Sequence, residues 1–144
     1  MITKDITLSD NGILYDVNFV SWKTAKCRIV EPEAQSEAQT DEESQIWFNR
    51  QKETAIATLK AKLKWCAKEE NGKFSFTFPD TWRGNFESLS NYIHRYIVDY
   101  ILYEWFKMTL PSEAAAYLTS ADTWESKVIN EARSEDVSNV FFRL

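Results

Sequence analysis

The stretch NYIHRYIVDYILYEWFKMTL, residues 91–110, is the most apolar and most aromatic in the chain, and its reading decides the fold. So many rings in one run could cross a membrane, cradle a cofactor, fill a core or meet another protein. The run is long enough to span a bilayer, but His94, Arg95, Asp99, Glu104 and Lys107 are spread along it. Five ionisable groups argue against a transmembrane helix. Projected as a helix at about 100° per residue, the run separates into two arcs. Ile97, Val98, Ile101, Leu102, Trp105 and Met108 share one, which is the expected core face. Tyr92, Tyr96 and Tyr103 cluster on the other with Tyr100 beside them, among Arg95, Asp99 and Lys107.

A tyrosine stripe beside charges suits a surface that is buried only part of the time, because each ring has an apolar body and a wet hydroxyl tip. Tyr92, Tyr96, Tyr100 and Tyr103 are therefore candidate protein-interface residues. The competing reading is that another helix of the same chain covers this face.

Working outward, only three glycines and three prolines punctuate the 144 residues, which favours long helices over many short strands. The length fits one domain that buries roughly two thirds of its unfolded surface. Asn85 opens the helix that carries the aromatic run to Thr109. Pro111 is placed as the first residue of a further helix, PSEAAAYLTSADTWESKVINEARSE. The junction is short, so the two are expected to form an antiparallel hairpin with Ala114, Leu118, Ala121, Val128 and Ala132 as the inner stripe.

On the N-terminal side, FSFTF at residues 74–78 alternates rings with Ser75 and Thr77 and stops at Pro79, the pattern of a short strand. Its partner is the N-terminal ITL, the C-terminal VFFRL or another subunit. VFFRL is apolar and rich in β-formers, which makes Phe141 and Phe142 further interface candidates. EPEAQSEAQTDEES, residues 31–44, has six acidic residues and no basic one. It reads as a flexible acidic loop at about 31–40, ending in a Thr40/Glu43 capping box. The helix that follows is expected to run to about Glu69, with Ile46, Ile56, Leu59, Leu63 and Cys66 on one face and Asn71-Gly72 closing it. Lys60, Lys64 and Lys68 recur at helical spacing near that end, which fits dipole complementation and a solvated face better than a nucleic-acid stripe. The first segment, ITLSDNGILYDVNFVSWKTAKC, reads either as a hairpin turning at Asn11-Gly12 or as a strand followed by a helix capped at Ser9 or Asp10.

Chemistry-bearing motifs are scarce. Cys27 and Cys66 have neither CxxC nor Cys/His spacing, so no metal site or disulfide framework is expected. The chain carries no P-loop, GxGxxG, GxSxG, HExxH or EF-hand loop. His94 lacks a neighbouring Cys, Ser or paired carboxylate and reads as a satisfied boundary residue. Neither an enzyme nor a cofactor is expected. A net charge of −5 disfavours direct nucleic-acid binding and anionic membranes. MITKDITLSD has no basic region leading into an apolar run, so a cytoplasmic location in the producing cell is expected.

The order of elements resembles a group of small, mostly helical proteins encoded in prophages of gut anaerobes, placed among virion structural genes and similar in style to head-tail connector or tail-completion proteins. The residues that carry it are ITLSDNGILYDVNFVSWKTAKC, TDEESQIWFNRQKETAIATLK, FSFTF and SNYIHRYIVDYILYEWFKMTLPSEAAAYLTSADTWESKV, with W-F-K-x-T-x-P-x-E-A-x-x-Y as the sharpest part. In such proteins the segment after ITL looks helical, so the resemblance selects strand then helix for residues 2–24. The residues read as a single all-α domain of about four helices with a minor β element. The resemblance implies a non-enzymatic structural subunit of a ring or tube in the phage neck or tail, one that joins copies of itself and other virion proteins and enters the phage particle. The runner-up is a binding or regulatory module that recognises a host or phage protein through the tyrosine face. EDVSNVFFRL departs from the group, in which a basic tail is more usual, and this sets the chain apart from tail-mediated contact with packaged DNA.

Overall fold

The computed structural model of the chain describes residues 1–26, 29–30 and 38–134, with side chains described from residue 42 onward in the last of these. Its elements run β1 (Ile2–Thr7), α1 (Asp10–Ala25), α2 (Ala38–Lys62), β2 (Ala67–Glu70), β3 (Lys73–Phe78), α3 (Phe86–Phe106) and α4 (Pro111–Ala132). Strand then helix is therefore the arrangement at the N-terminus. Ser9 caps α1, its hydroxyl accepting from Gly12 N–H at 3.0 Å. Asn85 caps α3 through Ser88 N–H at 2.8 Å, and Pro111 opens α4.

An all-α description is too narrow, because the described residues combine four helices with a three-stranded antiparallel sheet of order β1-β3-β2. FSFTF lies in the central strand, with Ile6 opposite Phe74 and Ile2 opposite Phe78 on one side and Ala67 opposite Phe76 on the other. Residues directly opposite each other share a face. Phe74, Phe76, Phe78, Ile6 and Ala67 accordingly bury one face, while Thr3, Asp5, Thr7, Lys68, Glu70 and Thr77 leave the other polar and exposed.

The strand β2 corrects the expectation of one helix running to Glu69. α2 ends at Lys62, and Cys66 and Ala67 N–H both close onto the Leu63 carbonyl. Asn71-Gly72 then turns a hairpin rather than ending a helix, with φ of 53° and 79°. Positive φ at both central residues is the two-residue turn whose twist matches paired strands, and Asn-Gly adopts it at the lowest cost. Glu69 and Glu70 would also sit badly at the negative end of a longer helix. The apolar spacing misled because Leu63 and Cys66 stay buried in the turn, so the pattern outlives the helix that began it. α2 also starts two residues before Thr40.

The helices converge on α3. Ile93, Ile97, Ile101 and Leu102 are fully buried, as are Ile13 and Val17 of α1, Leu59 of α2 and Val128 of α4. Three expected core residues lie elsewhere. Met108 is exposed because α3 stops at Phe106, Ile46 is exposed because Phe48 takes the inward position on α2, and Leu118 yields to Tyr117, which stacks on Phe106 at 5.8 Å. Trp105 is half-buried against Trp47, edge to face at 5.3 Å.

Sheet and helices are joined at Trp82. Its ring lies flat on Phe78 at 4.1 Å, and its indole N–H donates to the Glu131 carbonyl at 2.9 Å. Arg83 N–H donates to the Ser134 carbonyl at 3.0 Å, so the end of α4 is tied to the segment leading into α3. Gly84 allows that closeness, since a Cβ there would press on the Trp82 ring and lie 2.6 Å from the Glu131 oxygen. Gly84→Ala is therefore expected to destabilise the fold by about 1–3 kcal/mol, as overpacked sites do. Denaturant unfolding measures it, and a midpoint equal to the wild type would mean that this clamp is open in solution.

Candidate interaction surface

α1 has one inner edge and one outer edge. Ile13, Val17 and Ser21 face inward at a spacing of four, and Ser21 donates its hydroxyl to the Asn18 carbonyl at 3.1 Å. Asn18 holds the chain beyond the helix: its Oδ1 accepts from Ile29 and Val30 N–H at 2.9 and 3.2 Å, and its Nδ2 donates to the Val30 carbonyl at 3.0 Å. A helix bound on this side must present its other side to solvent. That side carries Tyr15, Phe19 and Trp22, which are 69%, 51% and 43% exposed. Tyr15 and Phe19 stack at 6.2 Å, and the Lys23 ammonium lies 5.4 Å from the Phe19 ring centre.

Phe19 is also the rim of a cleft of about 260 Å³ between α1, α3 and α4. Trp124 forms the opposite rim, under the Arg95 guanidinium and the Lys127 ammonium, each 5.2 Å from its ring. Between them, His94 and Asp16 both line the cleft, with His94 Nε2 meeting Asp16 Oδ2 at 2.6 Å. Asp99, which also lines the cleft, accepts from the Ser120 hydroxyl at 2.5 Å. Burial pushes the Asp99 carboxyl up from its ordinary value, opposed by the Ser120 hydroxyl, the Trp124 indole and the Arg95 guanidinium. His94 is thus a hydrogen-bonded boundary residue that tethers α1 to α3, and it also faces a polar cleft.

The sequence-selected interface residues divide. Tyr92 is half-buried and stacked on Trp124 at 5.6 Å, and Tyr103 is half-buried beneath Lys107. Tyr100 is half-buried, 6.2 Å from Tyr96. Tyr96 itself is only 3% exposed, which corrects its reading as an outward contact. Burial pushes its hydroxyl up to about 12, with Glu125 of α4 adding to the shift and Thr58 of α2 hydrogen-bonded to it. The tyrosine arc is thus covered in part by α2 and α4 of the same chain. Phe141 and Phe142 lie outside the described residues. Among the described residues the exposed rings are Tyr15, Phe19 and Trp22 of α1 and Trp65 in the turn after α2, and the three on α1 form a surface that sequence reasoning missed. The signal lies in the helical spacing of residues 10–25, which puts Tyr15, Phe19 and Trp22 together at i, i+4 and i+7.

Among the described residues, no group of His, Cys, Asp and Glu has the arrangement to hold a metal ion, and no helix is long and apolar enough to cross a membrane. Burial raises the Cys66 thiol to about 11, so it stays protonated at neutral pH.

Two substitutions separate the inner ring from the outer ones. Tyr96→Ser is expected to cost about 3–5 kcal/mol, the range for removing a large buried ring. Tyr15→Ser should stay within about 0.5 kcal/mol, as exposed positions do. Denaturant melts of both variants check this, and equal midpoints would place Tyr96 outside the core. Comparison of the chain with protein-family models, with curated proteins and with solved structures finds no match.

Proposed function

We propose that this chain is a non-enzymatic assembly subunit of a prophage-type particle, in the neck or tail, that joins its own copies and neighbouring virion proteins through aromatic surface. The observation that carries the assembling role is the outer edge of α1, where three large rings stand exposed along nearly two turns. Large aromatic side chains are enriched at protein interfaces, and contiguous exposed apolar surface is a feature that soluble monomers limit. The half-buried Tyr92 and Trp124 extend this surface across the cleft. The particle itself is inferred from the resemblance in element order and in the junction WFKMTLPSEAAAY.

In this reading, ring burial supplies affinity, while Lys23, Arg95 and Asp16 around the rings supply selectivity. The rival module reading uses the same surface for a heterologous partner, and oligomeric state separates the two: copies that associate support a subunit, and a monomer that captures one foreign protein supports a module. Mass spectrometry of purified particles, induced from the genome that encodes the chain, tests the virion assignment directly, and absence of the chain from the particles would sink it.

The double variant Tyr15→Ser, Phe19→Ser is expected to weaken self-association by about 1–2 kcal/mol per ring, roughly tenfold each, with little change in melting. Sedimentation velocity over a concentration series beside thermal unfolding is the measurement. Unchanged association with an intact fold would remove α1 from the interface.

A further inference from the structure

Four lysines converge on one groove at the C-terminal end of α2. Lys60 comes from the last turns of the helix, Lys64 from the turn after it, Lys68 from β2 and Lys73 from β3, and together they line a space of about 600 Å³. Helix-dipole complementation accounts for Lys60 alone, because α2 ends at Lys62 and the other three belong to the turn and the sheet. All four are exposed. Among the described residues Lys60, Lys64 and Lys68 have no ion-pair partner, and Lys73 reaches Asp5 only at 3.8 Å. Glu69 and Glu70 share the groove, and Glu69 is engaged with Gly72 N–H at 3.2 Å. A surplus of cations therefore gathers at one place in a chain whose net charge is −5.

The opposite end of the same helix has the opposite character. Glu42 and Glu43 are exposed in the first turns of α2. They belong to the sequence EPEAQSEAQTDEES, with six acidic residues and no basic one. Eighteen residues of helix separate Glu42 from Lys60, or about 27 Å at 1.5 Å per residue, so Glu42 and Glu43 cannot reach the lysine groove of their own chain. Two copies can satisfy both surfaces. We infer that the lysine groove receives the acidic N-terminal end of α2 from a second copy of this chain. The contact joins two different patches, so it is head to tail, and head-to-tail contacts close into rings or run on as filaments. The inference rests on the assembly reading above and names a contact separate from the aromatic edge of α1. Its strength should fall as salt is raised, as screening of exposed charges requires.

Charge exchange tests it. Lys64→Glu with Lys68→Glu, and separately Glu42→Lys with Glu43→Lys, should each weaken self-association about tenfold or more, because like charges then face each other. Mixing the two variants should restore association, since each reversed groove then meets a reversed helix end and each native groove a native one. Analytical ultracentrifugation at low and raised salt is the readout, with Lys64→Gln, Lys68→Gln as a milder pair should the reversal disturb folding. A wild type that associates while every charge variant associates equally, or variants that fail to recover on mixing, overturns the lysine contact and leaves the aromatic reading standing. A wild type that stays monomeric at every salt overturns both. Retention of a short oligonucleotide by the wild type, lost in the lysine variants with self-association unchanged, overturns the inference in favour of phosphate recognition.

Discussion

The structure depends on burying α3 from several sides at once. Leu89, Ile93, Tyr96, Ile97, Val98, Ile101, Leu102 and Phe106 are all buried, a set too wide for one neighbouring helix to cover. α1, α2 and α4 each take part of the circumference, and the short junction between Phe106 and Pro111 forces α4 to return along the helix that precedes it. The polar residues of α3 are placed by the same demand. His94 and Asp99 each fall where a neighbouring helix offers a partner, Asp16 from α1 and Ser120 from α4. Burial of Asp99 makes the carboxylate form less favourable there, so that residue opposes stability once it is ionised.

What was legible in the sequence follows from this geometry. The hairpin of α3 and α4 and the strand at FSFTF were readable because each carries a local signal, a proline at a helix start and alternation with period two. The residues of the first segment fit a hairpin as well as the helix capped by Ser9, and only the resemblance in element order chose between them. The end of α2 was misread because spacing reports burial and not hydrogen bonding. Leu63 and Cys66 stay inside the core whether or not the backbone remains helical, and Asn71-Gly72 serves equally as a helix stop or a hairpin turn. Only pairing with β3 decides between them, and that is a tertiary fact. Tyr96 failed for a related reason, since a projection separates arcs of one helix but cannot count the helices that will cover them.

The surface was legible only once the N-terminal segment was fixed as a helix. As a hairpin, Tyr15 and Phe19 would share a strand face with Ile13 and Val17; as a helix they part from that pair, which turns inward. One backbone choice thus converts expected core rings into exposed ones. The aromatic edge is in that sense a by-product of Asn18 and Asp16, which hold α1 by its other edge against Val30 and His94.

The two proposed contacts divide the work of assembly in a way their chemistry predicts. Exposed ion pairs hold weakly and are screened, with a typical value of about 0–1 kcal/mol each, but a cationic groove and an acidic helix end set direction and speed encounter. Aromatic burial is insensitive to salt and holds what has met. A subunit with only the charged contact would assemble reversibly and loosely, and one with only the rings would associate without a fixed polarity. The exposed Tyr15 and Phe19 lie on α1, while Glu42 lies near the start of α2 and Lys64 in the turn after its end, so neither contact need displace the other. Salt dependence should therefore differ between the two proposed contacts: raising salt weakens a contact made only of exposed charges more than one held by ring burial, whose flanking charges alone are screened.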